Sequence, residues 1–262
     1  MPAPPIPPRP SDPPPIPPRP PPSSNEPCNP PQFPPILKGP LISDGSCAQS
    51  GVLRKGIKWQ ASGILEQGVN LPGQSVDIKD ALTIHMGSKY TCCDEKGRQR
   101  TEILSWPPSE PSQTHLYKWR YHLSPSLPTS YKFFHLTQLF SREQGGFLLS
   151  LGLVKPNRIK LSTIEFEEGE GGKRGCEGNK MECEAERYWG KTVQHRMLVR
   201  WGTNGMIDYT VCDVATSEVL IKFYVENVSV PAKGSIKCGL YRQHVCSSAS
   251  AVVGDFDFTL RK

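Results

Sequence analysis

Beyond residue 50, apolar and polar positions alternate along the chain, and no stretch shows helical periodicity of useful length. Alternation turns successive side chains to opposite faces of a sheet, so the pattern predicts strands. Between His115 and Leu123, Tyr117, Trp119, Tyr121 and Leu123 share one face while Leu116, Lys118, Arg120 and His122 share the other. The runs 133–140 and 147–154 are nearly continuous in apolar residues, as central strands covered on both sides are. Segments 195–201 and 207–212 read as a hairpin closed by Gly202, Thr203, Asn204 and Gly205, since Asn-Gly supplies the positive φ of a tight type I′ turn. Further strands are expected at 219–225 and 252–260. Two segments stand apart, 97–104 and 236–243. The first puts Arg98, Arg100 and Glu102 on one face, and the second does the same with Lys237, Tyr241 and Gln243. A polar, basic stripe on a strand that must bury its other face suits a sheet that binds an anionic chain.

Regularly spaced strands with turn residues between them predict an all-β, two-sheet jelly-roll sandwich over residues 41–262. Residues 1–40 hold 20 of the 28 prolines and read as a disordered proline-rich tail. Within it Pro4 to Pro10 and Pro14 to Pro20 repeat a P-x-x-P-x-R pattern. That pattern is either an SH3-domain ligand over 4–20 or a stiff spacer.

The formal charge of +6 leaves about +5 on the globular part, a mild balance that fits an acidic polymer and does not argue for nucleic acid. No segment is long and apolar enough to span a membrane, so no membrane partner is expected. Nine cysteines without paired C-x-x-C spacing speak against zinc and for a disulfide-bearing, secreted domain, with Cys176 and Cys183 as the expected local bridge. The sequon Asn227-Val228-Ser229 points the same way, although residues 1–40 show no apolar core of a signal peptide. The acidic excursion Glu165, Glu167, Glu168 and Glu170 reads as a solvated loop. It lacks the Asp/Asn/Gly spacing of a coordination shell, so no cofactor is implied and Ca2+ there is left open.

Arg100-Thr101-Glu102, Tyr117 to Tyr121, the run ending Gln138-Leu139-Phe140, Val199 to Gly205 and Ile236 to Arg242 occur in an order that resembles the concanavalin-A-like jelly-roll polysaccharide lyases. The likeness is to the alginate, glucuronan and heparin lyase types and the secreted fungal proteins similar to them, over roughly residues 50–262. The resemblance implies β-elimination on a uronic-acid polymer. That chemistry needs a donor to neutralise the C5 carboxylate, a base for the C5 proton and an acid for the departing O4. Position by position it implies Arg100 and Gln138 for the carboxylate, with Lys237, Tyr241 and Gln243 on the polar face of the last motif. Phe140 and Ser235 stand where the alginate-lyase pattern has His and Tyr. His135 and His122 are the substitutes considered, His135 joining Gln138 only if a bulge breaks the strand parity.

The candidate catalytic set is therefore Gln138, Tyr241, Arg100 and His135, with Lys237, Gln243, Glu102, Arg120 and Trp119 as substrate-binding residues. The two polar strands are expected as opposite walls of one groove with Gln138 between them. Simpler readings stand beside these: Arg100 and Glu102 as a cross-strand ion pair, the 117–121 aromatics as core, and His85 and His195 as structural. At the level of function, a non-catalytic lectin-like domain competes with the lyase, and an SH3-recruited scaffold is a third reading. A jelly-roll glycoside hydrolase is disfavoured because its E-x-D-x-x-E signature is missing.

Overall fold

A computed structural model of the chain describes residues 39–87, 96–125, 127, 132–169 and 178–261. The proline-rich repeats, Cys28, Cys92, Cys93, Cys176 and Glu170 lie outside the described residues. Sixteen strands follow in order: β1 (Leu41–Asp44), β2 (Gln49–Val52), β3 (Lys58–Ala61), β4 (Ile64–Gln67), β5 (Ala81–Met86), β6 (Arg98–Leu104), β7 (Thr114–Leu123) and β8 (Phe134–Ser141). Then come β9 (Gly146–Val154), β10 (Arg158–Thr163), β11 (Glu182–Glu184), β12 (Thr192–Arg200), β13 (Gly202–Asp213), β14 (Val219–Val230), β15 (Gly234–Gln243) and β16 (Ala249–Arg261). Among the described residues the helical turns are two short 3-10 segments, Arg54–Gly56 and Ala185–Arg187, and no helix is long and apolar enough to cross a membrane.

The strands form two eight-stranded antiparallel sheets, in the orders β1-β4-β5-β16-β7-β12-β13-β14 and β11-β10-β9-β8-β15-β6-β3-β2. This is the two-sheet sandwich that the alternation predicts. Its core takes one face from each sheet: Tyr117, Trp119, Tyr121 and Leu123 from β7 meet Leu139, Leu149, Ile236 and Leu240 from the second sheet. A small second cluster, Leu71, Ile78, Ala81 and Val252, lies on the far side of the first sheet beneath the 68–80 segment. The Asn204-Gly205 turn differs from expectation. Arg200 pairs with Met206, leaving five residues between, and neither Asn204 nor Gly205 has positive φ. Gly202 takes that conformation instead, at φ 112°, because 202–205 continues the ladder onto β14, where Gly205 sits hard against Val230.

Polar groups are threaded through the core, and the largest cluster is paired. His195 is completely buried, its ring stacked 4.5 Å from Trp119, its Nε2 2.8 Å from the Tyr188 hydroxyl and its Nδ1 2.8 Å from the Tyr209 hydroxyl. The Tyr121 hydroxyl donates to the Gly239 carbonyl of β15 at 2.8 Å, so a phenol of the first sheet holds a strand of the second. Cys183 is free and buried, so the expected Cys176–Cys183 bridge does not form. Cys47, Cys212 and Cys238 are also free, and Cys246 is disulfide-bonded.

The second sheet is irregular where Tyr121 holds it. Between the same two levels β15 runs three residues (238 to 241), β8 two (137 to 135) and β9 one (151 to 152). Such unequal counts are bulges, which kink a strand and re-aim its side chains. Gly239 absorbs the irregularity with φ 146°, and a Cβ there would lie 2.2 Å from the Thr101 carbonyl oxygen.

Two outcomes are expected. Gly239→Ala should cost about 3 kcal/mol or more through strain and overlap, and Tyr121→Phe about 1–2 kcal/mol by stranding a buried carbonyl. A denaturation midpoint for Gly239→Ala equal to that of the wild type would contradict the bulge geometry. Separately, burial pushes His195 down to about 3 and His85 to about 4, from an ordinary 6.5. Between those values and 6.5 the unfolded chain binds protons that the folded chain refuses, so stability should fall as pH drops through that window. The slope should approach about 1.4 kcal/mol per pH unit for each histidine, read from urea titrations at stepped pH; a flat profile would argue against neutral buried imidazoles.

Candidate functional site

The outer face of the second sheet is built by β8, β15, β6 and β3, which lie side by side. β6 and β15 are hydrogen-bonded neighbours, so the two polar strands form one continuous floor. Gln138 flanks β15 on the side away from β6. The expectation of two opposite walls with Gln138 between them fails because strand order cannot be read from either strand's own pattern.

Register lays the face out in rows. Lys237 lies opposite Gln138 on one side and Leu104 on the other, and Leu104 lies opposite Lys58. Gly239 lies opposite Glu102, which lies opposite Gln60. Tyr241 lies opposite His135 and Arg100. His135 is an odd-numbered neighbour of an even-numbered Gln138 and would face the core in a regular strand. The bulge turns it outward, where its ring lies 5.7 Å from Tyr241 and 5.6 Å from Phe147. Its Nδ1 is 2.5 Å from Ser150 Oγ, and Ser150 itself pairs with Gln138. All four candidate catalytic residues therefore share this face.

Electrostatics follow from how little water the face admits. Burial pushes His135 down to about 4, leaving a neutral imidazole at ordinary pH. Glu102 is 3% exposed, and burial raises its carboxyl against the opposing pull of Lys237, Arg100 and a 2.8 Å hydrogen bond from Gln60 Nε2. Burial lowers Lys237, and while Glu102 pulls it up, Arg100 and Arg142 push it further down. Arg100 Nε sits 3.6 Å from Glu102 and its guanidinium 4.4 Å from the Tyr241 ring. Arg98 donates to the Tyr241 hydroxyl at 3.1 Å, so the phenolic proton points to another acceptor. Gln138 is 5% exposed. Gln243 donates to the Lys96 and Gly97 carbonyls and braces the start of β6.

Two candidate binding residues lie elsewhere. Trp119 is fully buried in the core on His195, because β7 turns its aromatic face inward. Arg120 lies on the outer side of the first sheet, paired with Asp77 and Asp255. His122, considered as a base, is buried on that same side against Thr192 Oγ1. Sequence reasoning missed Phe133, whose ring lies 4.9 Å from Tyr241, and Ser150, the partner of His135. Neither carries a signal without the bulge. Arg242, fully buried, faces inward and donates to Gln99 Oε1 and the Ser247 carbonyl.

Among the described residues no group of three or more His, Cys, Asp or Glu side chains is placed to hold a metal ion. A cavity of about 380 Å³ lined by Ile42, Leu53, Leu82, Phe256 and basic Arg54 and Lys79 includes none of the site residues.

Comparison with protein-family models finds no match, and comparison with curated protein sequences finds none either. Solved structures do match. An endo-β-1,4-glucuronan lyase from the fungus Trichoderma reesei is 10% identical with a TM-score of 0.53, over 82% of this chain and 94% of that one. A family 7 alginate lyase in complex with substrate is 13% identical with a TM-score of 0.45, over 74% and 83% of the two chains. The Emp47p carbohydrate recognition domain is 10% identical with a TM-score of 0.44, over 85% and 97%. At such identities a likeness speaks for architecture, and the chain has the jelly-roll fold that the glucuronan lyase also adopts.

Proposed function

We propose that this chain is an extracellular polysaccharide lyase that cleaves a uronic-acid-containing glycan by β-elimination on the outer face of the second sheet. The observation that carries the reading is the bulge that brings His135 beside Gln138 and directly across from Tyr241. Arg100, Gln138 and Lys237 receive the C5 carboxylate and offset its charge, which makes the C5 proton acidic. With its Nδ1 proton shared with Ser150 Oγ, His135 takes the C5 proton on Nε2. The electrons form the C4–C5 double bond, the C4–O4 bond breaks, and Tyr241 gives its phenolic proton to O4. Arg98, donating to the Tyr241 oxygen, stabilises the phenolate left behind. His135 and Tyr241 then exchange protons with water to reset the site.

A second reading, a non-catalytic carbohydrate-binding domain, draws on Phe140 and Ser235. Phe140 takes the Lys237 ammonium 3.6 Å over its ring, and Ser235 is completely buried, so neither moves a proton.

Incubation with glucuronan, alginate or a glycosaminoglycan should release a product with the ultraviolet absorbance of an unsaturated uronate. His135→Ala, Gln138→Ala and Tyr241→Phe should each lower kcat about a hundredfold or more; activity that survives all three unchanged would remove the assignment. Binding without product in the wild type would favour the second reading. Since the base must be neutral, and burial holds His135 near about 4, kcat/KM should lose activity as pH falls through that region. An acidic limb that stays in place in His135→Ala would assign the proton transfer to another group.

A further inference from the structure

Beyond Lys237 the same face continues into a cationic cluster that the elimination chemistry does not use. Trp106 follows β6 and is 39% exposed, yet its loop is fixed at both ends. Ser105 N donates to the Ile236 carbonyl and Ser105 Oγ accepts from Ile236 N, while Ser109 N donates to the Gly234 carbonyl and Ser109 Oγ accepts from Gly234 N. The Lys58 ammonium lies 3.2 Å from the centre of the Trp106 ring, and the Arg142 guanidinium lies 5.2 Å from it. Register puts Lys58 two strands from Lys237, about 10 Å away.

These cations differ from those on the first sheet. There Lys118, Arg120, Arg196 and Lys191 each face an aspartate. Among the described residues Lys58, Arg142 and Lys237 have no carboxylate within ion-pair distance, and aromatic rings hold them instead. A ring face positions a cation without neutralising it, so the charge stays available to an incoming anion. The crowding is felt by the groups themselves, since Arg142 disfavours the charged form of Lys237. On this face Lys58, Arg100, Arg142 and Lys237 stand, among the described residues, against the one buried carboxylate of Glu102. A polymer with one carboxylate per sugar would leave part of that charge unmatched, whereas a sulfate ester on the neighbouring sugar supplies oxygens for both a guanidinium and an ammonium.

We propose that Lys58 and Arg142, oriented by Trp106, form a second anionic subsite that takes a sulfate ester on a sugar adjacent to the reacting uronate. The glycan is then a sulfated polyuronate. This inference rests on the lyase or binding reading of the same face.

The test compares a sulfated glycosaminoglycan with its chemically desulfated form, measuring KM for cleavage and Kd for binding on the full chain. The wild type should favour the sulfated form about tenfold or more, with kcat changed far less. The double variant Lys58→Gln/Arg142→Gln should lose that preference while keeping its activity on the desulfated polymer. Trp106→Ala should weaken the preference, because the cations lose the ring that holds them. Equal affinity of the wild type for both polymers overturns the subsite and leaves the elimination reading intact, as does a preference that persists in the double variant. If neither polymer is bound or cleaved, the underlying reading falls and the subsite with it. All three side chains reach solvent, and matching circular dichroism and melting would separate lost recognition from lost fold.

Discussion

A hydrogen bond from the Tyr121 hydroxyl to the Gly239 carbonyl joins the two sheets at the point where the second one bends. A buried phenol must find a partner, and burial holds its proton firmly in place, so Tyr121 is a dedicated donor. Tyr209, whose hydroxyl lies 2.8 Å from His195 Nδ1, holds the buried imidazole beside it. Because the irregular part of β15 and β8 is held from below, the side chains above it are aimed. Tyr241 and His135 face each other, Gln138 stays on their side, and Glu102 sits opposite the gap that Gly239 leaves. The geometry of the outer face is tied to the apolar core through the Tyr121 hydroxyl.

Much of the fold was legible because alternation is a local signal. Each strand expected from 97 onward has a counterpart, and the polar stripes of β6 and β15 lie on one face as their parity requires. The short strands β1 to β5, β10 and β11 were not read, since three to six residues give alternation too little room to stand out. Parity also fails in a characteristic way. It separates Trp119 from Arg120 onto opposite faces but does not say which face is inside, and here the aromatic face is core while Arg120 lies on the exterior of the same sheet. His135 was the reverse case: its place depended on a bulge beside the Gly239 contact, which is made from β7, 118 residues away in sequence.

The face manages charge by two different means. Glu102 is matched locally, by a hydrogen bond from Gln60 and the charge of Arg100, and so serves to fix the arginine beside Tyr241. The remaining cations are held on rings. Phe140 is informative here, because its ring stations the Lys237 ammonium on the outer face.

The strand orders have a consequence for how the molecule is assembled. β15 is inserted between β6 and β8, and β16 between β5 and β7, so both sheets are completed at their centres by the last two strands made. Until then each half-sheet presents two open edges, and the ends that will be bridged are more than a hundred residues distant from their partners in β5, β6 and β7. Closing such loops is slow, and open edges invite wrong pairing. A chain emerging from the ribosome therefore lacks the second sheet's central strand until residues 234–243 have been made and the first sheet's until residues 249–261 follow.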